Sequence, residues 1–459
     1  MSDAERDPTY EELLAENKRL KRRVEELEKL VEEFARRGKR QAAPFSRDRL
    51  RPDPKTPGRK SGAAYGRHAH REPPPEVAAA ETLAAPLPET CPRCGSGEGF
   101  EPAPDAVQFQ TEIPRTPLIR KFVVKRGRCR RCGAKIQGRH PLQTSDALGA
   151  AASQFGAVAH AATTFLNKEC GLSHGKVAKV FETLFGMTMT RGAACRSMLR
   201  TAKVGNAAYE GTLEDVRRSP EVVPDETGWR VGGKSAWLLV AAAADATAYR
   251  VDRHRGFDGM RLLIPPNYAG RMTHDGYGSY GRYAKADHQQ CTTHLLRRCK
   301  ELLETATRGA VRFPRALREL LQEGLAVRDR FRDGAIAATT TARRGRELKH
   351  RVFDLVWPIK SHAGNERLAK FVENHLEEIF AYLRRPGTPA TNARAEQAIR
   401  PAVVNRKVWG GNRTWHGAAA QSILCSLLRT CWQRRIPAVE FLADLRQSTR
   451  PLLIPHPER

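Results

Sequence analysis

The chain has 459 residues, enough for two or three domains with cores of their own. Lys and Arg number 79 against 51 Asp and Glu, a net charge of +28, and a surface that repels itself this strongly points to an anionic partner, most often nucleic acid. The longest apolar run, Ala236–Ala244, has nine residues, far short of the roughly 20 that span a bilayer. The start, "MSDAERDPTYEELL", is charged and lacks the apolar core of a signal peptide. These features predict a cytoplasmic protein with no membrane partner, in a reducing compartment where paired cysteines suggest metal before disulfides.

Residues 1–37 form the first predicted segment. Leu13, Leu20, Leu27 and Phe34 recur every seven residues, with Tyr10, Asn17, Val24 and Val31 interleaved. Leu at d, Val at a and one Asn in the seam predict a parallel two-stranded coil over 10–37, hence a homodimer or higher oligomer. From 38 to 88 the period disappears. Between Arg36 and Arg71 there are twelve basic residues, two acids, and Pro44, Pro52, Pro54 and Pro57, the composition of a flexible basic linker. Its "KTPGRKSGAAYGRH" could lie along phosphates or serve only as a solubilising tether.

Residues 89–142 contain "CPRCG" and "CRRCG", which set Cys91, Cys94, Cys129 and Cys132 in two C-x-x-C knuckles, each followed by glycine. Four thiolates suit a closed, tetrahedral, structural zinc. The intervening "VQFQTEIPRTPLIRKFVVKRGR" has the β-branched and aromatic content of strands, so the segment reads as a zinc ribbon with a long loop. Residues 143–210 are helical by pattern: a helix from about Ser173 to Phe185, a break at Gly186 and a second helix after Thr190. That spacing suits a helix-turn-helix whose second helix carries Arg191, Arg196 and Arg200 toward DNA, although such hairpins are also common as plain packing units. Cys170 and Cys195 read as small core residues.

At residue 211 the period changes. "EVVPDETGWRV", "SAWLLVAAA" and "TAYRVDRH" are strand-like, followed by a short helical piece and a fourth strand ending at Asp275 in "THDGY". Three strands, a helix and a fourth strand match the opening of a ribonuclease-H-like α/β core, here over 211–305. In that order Asp225 on the first strand and Asp275 after the fourth lie side by side. An aspartate inside a sheet is costly unless solvated, hydrogen-bonded or metal-bound. Asp275 could instead be a plain Asp-Gly turn residue. Residues 306–385 are helix-rich, a helical insertion, and 386–420 bring "TNARAEQAIRPAVVNRK". There Glu396 is the one acid among Arg394, Arg400, Arg406 and Lys407, with Asn392 one turn before it. Glu396 either pairs with Arg400 or joins the two aspartates. Pro401 disfavours helix at Arg400, so the helix should end or kink there. Residues 421–459 form a helical tail. Two aspartates and a glutamate are hard ligands for Mg²⁺ or Mn²⁺, and a two-metal site activates attacking and leaving oxygens in phosphoryl transfer. Glu226, next to Asp225, should face the other side of the strand. Cys291, His294 and Cys299 in "CTTHLLRRCKE" read as strand-to-helix packing rather than a second metal site.

The motifs "DETGWRVGG", "HDGYGSY", "CTTHLLRRCKE" and "NARAEQAIRPAVVNRKVWGGNRTWHGA" resemble the DDE transposases of the insertion-sequence-66 family, and the likeness includes the coil, the "PGRKSG" linker and the knuckles. The resemblance implies a bacterial, nucleoid-associated DNA transposase acting through Asp225, Asp275 and Glu396 with divalent metal. Its substrates would be double-stranded DNA, both element ends and target, and other element-encoded proteins are candidate partners. Asn392, Cys291 and His294 fall where they would support that site, and Arg394, Arg400, Arg406 and Lys407 where they would hold phosphates. A catalytically inactive or repurposed DNA-binding regulator, or a nuclease on the same fold, are the alternatives.

Overall fold

In the computed structural model, residues 16–17, 19–20, 23–24, 82–97, 104, 107–108, 111, 113, 116–149, 154–385 and 387–456 are described. Most of the expected coil and nearly all of the basic linker lie outside them; residues 16, 17, 19, 20, 23 and 24 are helical. The chain divides into Met1–Glu112 and Ile113–Arg459. In the first unit, Cys91 opens a tight turn in which the Gly95 N–H donates to the Cys91 carbonyl at 2.8 Å and the Cys91 N–H to that of Ser96 at 2.9 Å.

The second unit begins with strands β1 (Arg126–Arg128) and β2 (Lys135–Gln137), an antiparallel pair. Between them Cys129 opens the same turn, with Gly133 N–H to the Cys129 carbonyl and Cys129 N–H to that of Ala134, both 2.9 Å. Of the strand-rich loop expected between the knuckles, only β1 is strand among the described residues.

Helices α1 (Ala157–Lys168), α2 (His174–Phe185) and α3 (Arg191–Val204) follow. Local chemistry sets the ends of the last two. Ser173 and Thr190 accept the N–H groups of Lys176 and Ala193, and Gly186 takes a left-handed φ of 63° to close α2. Val177, Phe181, Met189 and Ala194 bury the hairpin's apolar side. Cys195 is partly buried, but Cys170 is exposed, contrary to the core placement expected from sequence. Helix α1 has already ended at Lys168, which leaves Cys170 in the turn.

Helix α4 (Asn206–Arg218) leads into a five-stranded mixed sheet, so the architecture is mixed α and β. Strands β3 (Glu221–Val231), β4 (Lys234–Ala242) and β5 (Thr247–Asp252) form an antiparallel meander. The Gly232–Gly233 turn, with φ of 58° and 79°, supplies the two left-handed residues that a two-residue hairpin requires. A single-turn helix α5 (Phe257–Met260) precedes β6 (Arg271–His274), which runs parallel to β3, and β7 (Asp287–Gln290) runs parallel to β6. The order is β5-β4-β3-β6-β7.

Then comes a run of helices: α6 (Thr292–Thr305), α7 (Arg312–Arg332), α8 (Ala338–Val356), α9 (Ala363–Asn374) and the single turns α10 (Leu376–Ile379) and α11 (Ala381–Arg384). They enclose a core of their own built on Leu317, Leu321, Leu348, Val352 and Leu383. The chain returns to the sheet as α12 (Ala393–Trp409), α13 (Trp415–Gln433) and α14 (Ala438–Gln447). One face of the sheet packs Val223, Trp229, Leu238 and Val240 against Ala395, Ala398, Ile399 and Ala402 of α12.

Strand β5 is an edge, and α13 closes it. The N–H groups of Val251, Tyr249 and Thr247 donate to the hydroxyls of Ser422 (2.9 Å), Ser426 (2.8 Å) and Thr430 (3.1 Å). Four helical residues rise about 6 Å and two strand residues about 6.7 Å. Hydroxyls every fourth residue therefore meet the outward N–H of every second strand residue. Ser422 and Ser426 pass their own protons to the carbonyls one turn back. Ser426→Ala strands the buried Tyr249 N–H, and the expected loss of stability is about 1–3 kcal/mol. Urea melts of the two proteins measure it, and equal midpoints would show that the ladder contributes nothing.

Candidate active site

On β3 the side chains alternate, so Val223, Asp225 and Thr227 share the face on which α12 lies, and Glu226 takes the other. Asp225 Oδ1 accepts the Glu226 N–H at 2.9 Å. Burial pushes the Asp225 carboxyl up to about 7, against the pull of that hydrogen bond, and the charges of Glu226, Asp275 and Glu396 push the same way. This single group therefore reports the three other carboxylates around it. They come from β3, from the turn after β6 and from α12.

Asp275 follows β6 directly and caps its own turn, with Oδ1 accepting the Tyr277 N–H at 2.9 Å. It is thus a turn residue and a member of the carboxylate group at once. Gly276 has a φ of 86°, and a Cβ there would stand 2.7 Å from both Gln290 and Phe371. Beneath the turn, the Gly276 N–H donates to His274 Nδ1, His274 Nε2 bonds His288 Nδ1 at 2.9 Å, and His288 Nε2 bonds the Tyr283 carbonyl. This chain of bonds uses one proton per ring, and burial holds His274 down to about 3, so it is neutral.

Glu396 makes no ion pair with Arg400 among the described residues; its Oε1 instead lies 3.8 Å from His294 Nε2. His294 is held below the ordinary imidazole range by burial first and by Arg297 next, and its Nδ1 is buried without a partner. The two helices that carry this pair are locked at their starts. Cys291 Sγ lies 3.1 Å from Asn392 Oδ1 and accepts the Asn392 N–H at 3.3 Å, while the Thr292 N–H donates to the Ala390 carbonyl. Cys299 is buried in the core of the helical insertion. Both thiols thus serve packing.

The basic residues of α12 divide into two sets. Arg394 pairs with Glu221 at 2.6 Å, and Arg406 donates to Thr227 Oγ1 at 3.1 Å and to the Gly228 carbonyl. These guanidiniums are occupied by β3. Arg400 and Lys407 are exposed and have no ion-pair partner among the described residues. Of the end or kink expected at Pro401, the end does not occur: the helix continues to Trp409. The bond lost at the proline is outweighed by packing of Ala395, Ala398, Ile399 and Ala402 and by the two arginine ties. In α3, Arg191, Arg196 and Arg200 are all exposed.

Sequence reasoning missed the support under Glu226. Its side chain, 4% exposed, accepts from Arg255 Nε at 3.1 Å and from the Tyr280 hydroxyl, and Arg255 lies over the rings of Trp237 and Tyr277. Nothing in "RHRGF" signals this role, since the partners come from three separate segments.

Among the described residues no three His, Cys, Asp or Glu side chains stand close enough to hold one ion as they are. The chemistry of the group nevertheless suits a hard cation: oxygen donors only, one of them desolvated, with repulsion that a cation would relieve. At the knuckles, the Cys91 and Cys129 thiols are each lowered by the N–H of the second cysteine, then by that of the residue before it, which favours thiolate.

The raised Asp225 pKa has a definite sign for stability. The folded chain keeps this proton at pH values where the unfolded chain has released it, so the contribution of Asp225 to stability falls as pH rises from about 4 to about 7. In metal-free buffer, Asp225→Asn should match wild type at pH 4 and exceed it by about 1–3 kcal/mol above pH 7. Denaturant melts across that range test this, and a pH-independent difference between the two proteins would contradict it.

No curated protein matches this chain. No helix among the described residues is long and apolar enough to cross a membrane. The model of the transposase IS66 family matches residues 152–420, which include α1 to α12, the sheet and all three acids. With more than half of its length matched, the chain belongs to the transposase IS66 family.

Proposed function

We propose that the chain is a DDE-type DNA transposase in which Asp225, Asp275 and Glu396 form the catalytic centre. The observation that carries this reading is that three acids far apart in sequence are brought within electrostatic reach of one another. Asp225 is partly buried, and its carboxyl is raised first by burial and then by Glu226, Asp275 and Glu396. The strand order, with its antiparallel meander followed by two parallel strands, agrees with a ribonuclease-H-like core.

In this reading Asp225, Asp275 and Glu396 would hold Mg²⁺ or Mn²⁺. Such ions supply Lewis-acid stabilisation of charge at phosphorus and of the leaving oxygen. The protein's own groups do the rest. The Asp275 turn and the His294–Glu396 pair fix where the carboxylates stand. Arg400 and Lys407, free on the exposed side of α12, engage the phosphates of the bound strand. Arg394 and Arg406 keep α12 on β3 and act on DNA only through that placement. Water displaces a 3′ oxygen at the element end, and the 3′-hydroxyl then displaces an oxygen in target DNA, exchanging one phosphodiester for another. Helices α2 and α3 present Arg191, Arg196 and Arg200 to duplex DNA as a helix-turn-helix. The N-terminal coil pairs protomers so that two ends can be held, and other proteins of the element are candidate partners.

Asp225→Asn, Asp275→Asn and Glu396→Gln should each bring cleavage and joining of element-end DNA to the uncatalysed background while DNA affinity stays near wild type. Gel assays of strand cleavage, paired with binding measurements, decide this; wild-type joining in any one variant removes that residue from the centre.

The knuckles are proposed to supply four thiolates, from Cys91, Cys94, Cys129 and Cys132, to a structural zinc. Protein purified without chelator should then carry one zinc per chain, and Cys94→Ser or Cys132→Ser should lose it. Elemental analysis that finds no zinc in the wild type would refute this assignment.

A further inference from the structure

Strands β1 and β2 pair from Arg126–Gln137 to Arg128–Lys135, and one more bond, from the Gly138 N–H to the Lys125 carbonyl at 2.8 Å, carries the pairing outward. Beyond it the second arm turns on itself. The His140 N–H donates to Gln143 Oε1 at 2.7 Å, the Leu142 N–H to His140 Nδ1 at 3.2 Å and the Gln143 N–H to the His140 carbonyl at 3.0 Å. Pro141, with its fixed φ, suits the second position of that turn. Donors used inside the turn do not reach the first arm. The two arms therefore part, and a cavity of about 680 Å³ opens between residues 120–125 and 138–143.

The charge around this cavity is of one sign. Arg120, Lys121, Lys125, Arg139 and His140 line it, and no acid does among the described residues. Arg120, Lys121, Lys125 and Arg139 are all exposed, so a ligand can reach them from solvent. Over residues 116–149 nine Lys and Arg stand against Asp146 alone. Of the nine, Arg139 alone has an ion-pair partner among the described residues, Asp146 at 3.2 Å, and both of those side chains are about half exposed. Such a pair is weak and screened by salt. Phe122 of the first arm meets His140 of the second, with ring centroids 5.3 Å apart. Because His140 Nδ1 accepts the Leu142 N–H, the neutral ring carries its proton on Nε2, where it can donate. A surface kept basic only for solubility would mix both signs. Cations on both arms suit a partner charged along its whole length, and duplex DNA carries one charge per about 1.7 Å of its axis.

We propose that the groove between the two arms of the β1–β2 ribbon is a site for the DNA backbone, in which Arg120, Lys121, Lys125 and Arg139 hold phosphates and His140 donates from Nε2. This rests on the reading of the chain as an enzyme that acts on DNA, and it adds a contact separate from those of α3 and α12. The groove meets phosphates and not base edges, so its contribution is the same for any sequence.

The test uses the full chain and a fluorophore-labelled duplex of arbitrary sequence, with anisotropy titrations over a series of salt concentrations. The Arg120→Gln/Lys121→Gln/Lys125→Gln variant should bind roughly tenfold more weakly or worse, and its slope of log affinity against log salt should fall by about two to three. A control, Arg315→Gln/Arg318→Gln/Arg346→Gln, removes the same charge from exposed positions of the helical insertion and should keep nearly the wild-type slope. Equal losses in the two variants would mean that net charge alone matters, and would overturn the groove. Acylation of the unmutated chain gives a reading that depends on no variant: the duplex should protect Lys121 and Lys125 several-fold. Equal acylation with and without duplex overturns the proposal. Polyglutamate that displaces the duplex from wild type at an equal concentration of charge would mark a surface for acidic protein and also overturn it. A wild type that binds no duplex removes the reading of the chain as DNA-acting, and the groove with it. Loss of the groove alone, with wild-type binding intact, leaves that reading standing.

Discussion

The placement of α12 on β3 is the constraint on which the carboxylate group depends. Glu396 follows Asp275 by 121 residues, most of them in helices that pack on one another and not on the site. No local rule can bring such a residue back into register. Four contacts do so: Arg394 to Glu221 at one end of the strand, Arg406 to Thr227 and Gly228 toward the other, Cys291 to Asn392 at the helix start, and a row of small apolar residues between. Helix and strand run in the same direction, which lets one arginine near each end fix both position and pitch. The insertion can be large because its core is separate, so its internal packing does not disturb this register.

The molecule tolerates groups that reduce its stability. Asp225 among carboxylates is one. Lys168 is another, with a different meaning. It is buried without a carboxylate, donates to Gln421 at 2.6 Å and lies over Trp409, and burial brings its pKa to about 8. Its carbonyl accepts from Asn405 of α12. Lys168 ends α1, so this costly contact joins α1 to the helix that carries Glu396. A fully apolar junction would be more stable, but it would lack directional bonds to set the angle between the two parts.

Much of this was legible in the sequence because it was locally encoded. Ser173, Gly186 and Thr190 mark helix ends by capping chemistry that acts within four residues, and the observed ends agree with them. The strand alternation that sends Asp225 and Glu226 to opposite faces is likewise local. Pro401 shows where local rules fail: its propensity cost is real, but tertiary packing on β3 exceeds it. The split of the α12 arginines into two tied to β3 and others exposed was also illegible. Glu221 and Thr227 lie more than 170 residues earlier, and nothing in "NARAEQAIRPAVVNRK" distinguishes Arg394 from Arg400. Cys170 is exposed because helix α1 ends at Lys168 and leaves it in the following turn.

The two short motifs of the site express one geometric relation. In C-x-x-H the first residue begins α6 and the histidine comes one turn later; in N-x-x-x-E the first residue begins α12 and the glutamate comes one turn later. Cys291 and Asn392 bond to each other, which places the two helix starts side by side. One turn on from a shared start, His294 and Glu396 must then meet, and they do, at 3.8 Å. Spacings of three and four both return to the same face of a helix, so either satisfies the relation. The cysteine is therefore fixed by a neighbour 101 residues away. A thiol suits that place better than a charged group because it packs as a small apolar atom while still accepting the Asn392 N–H.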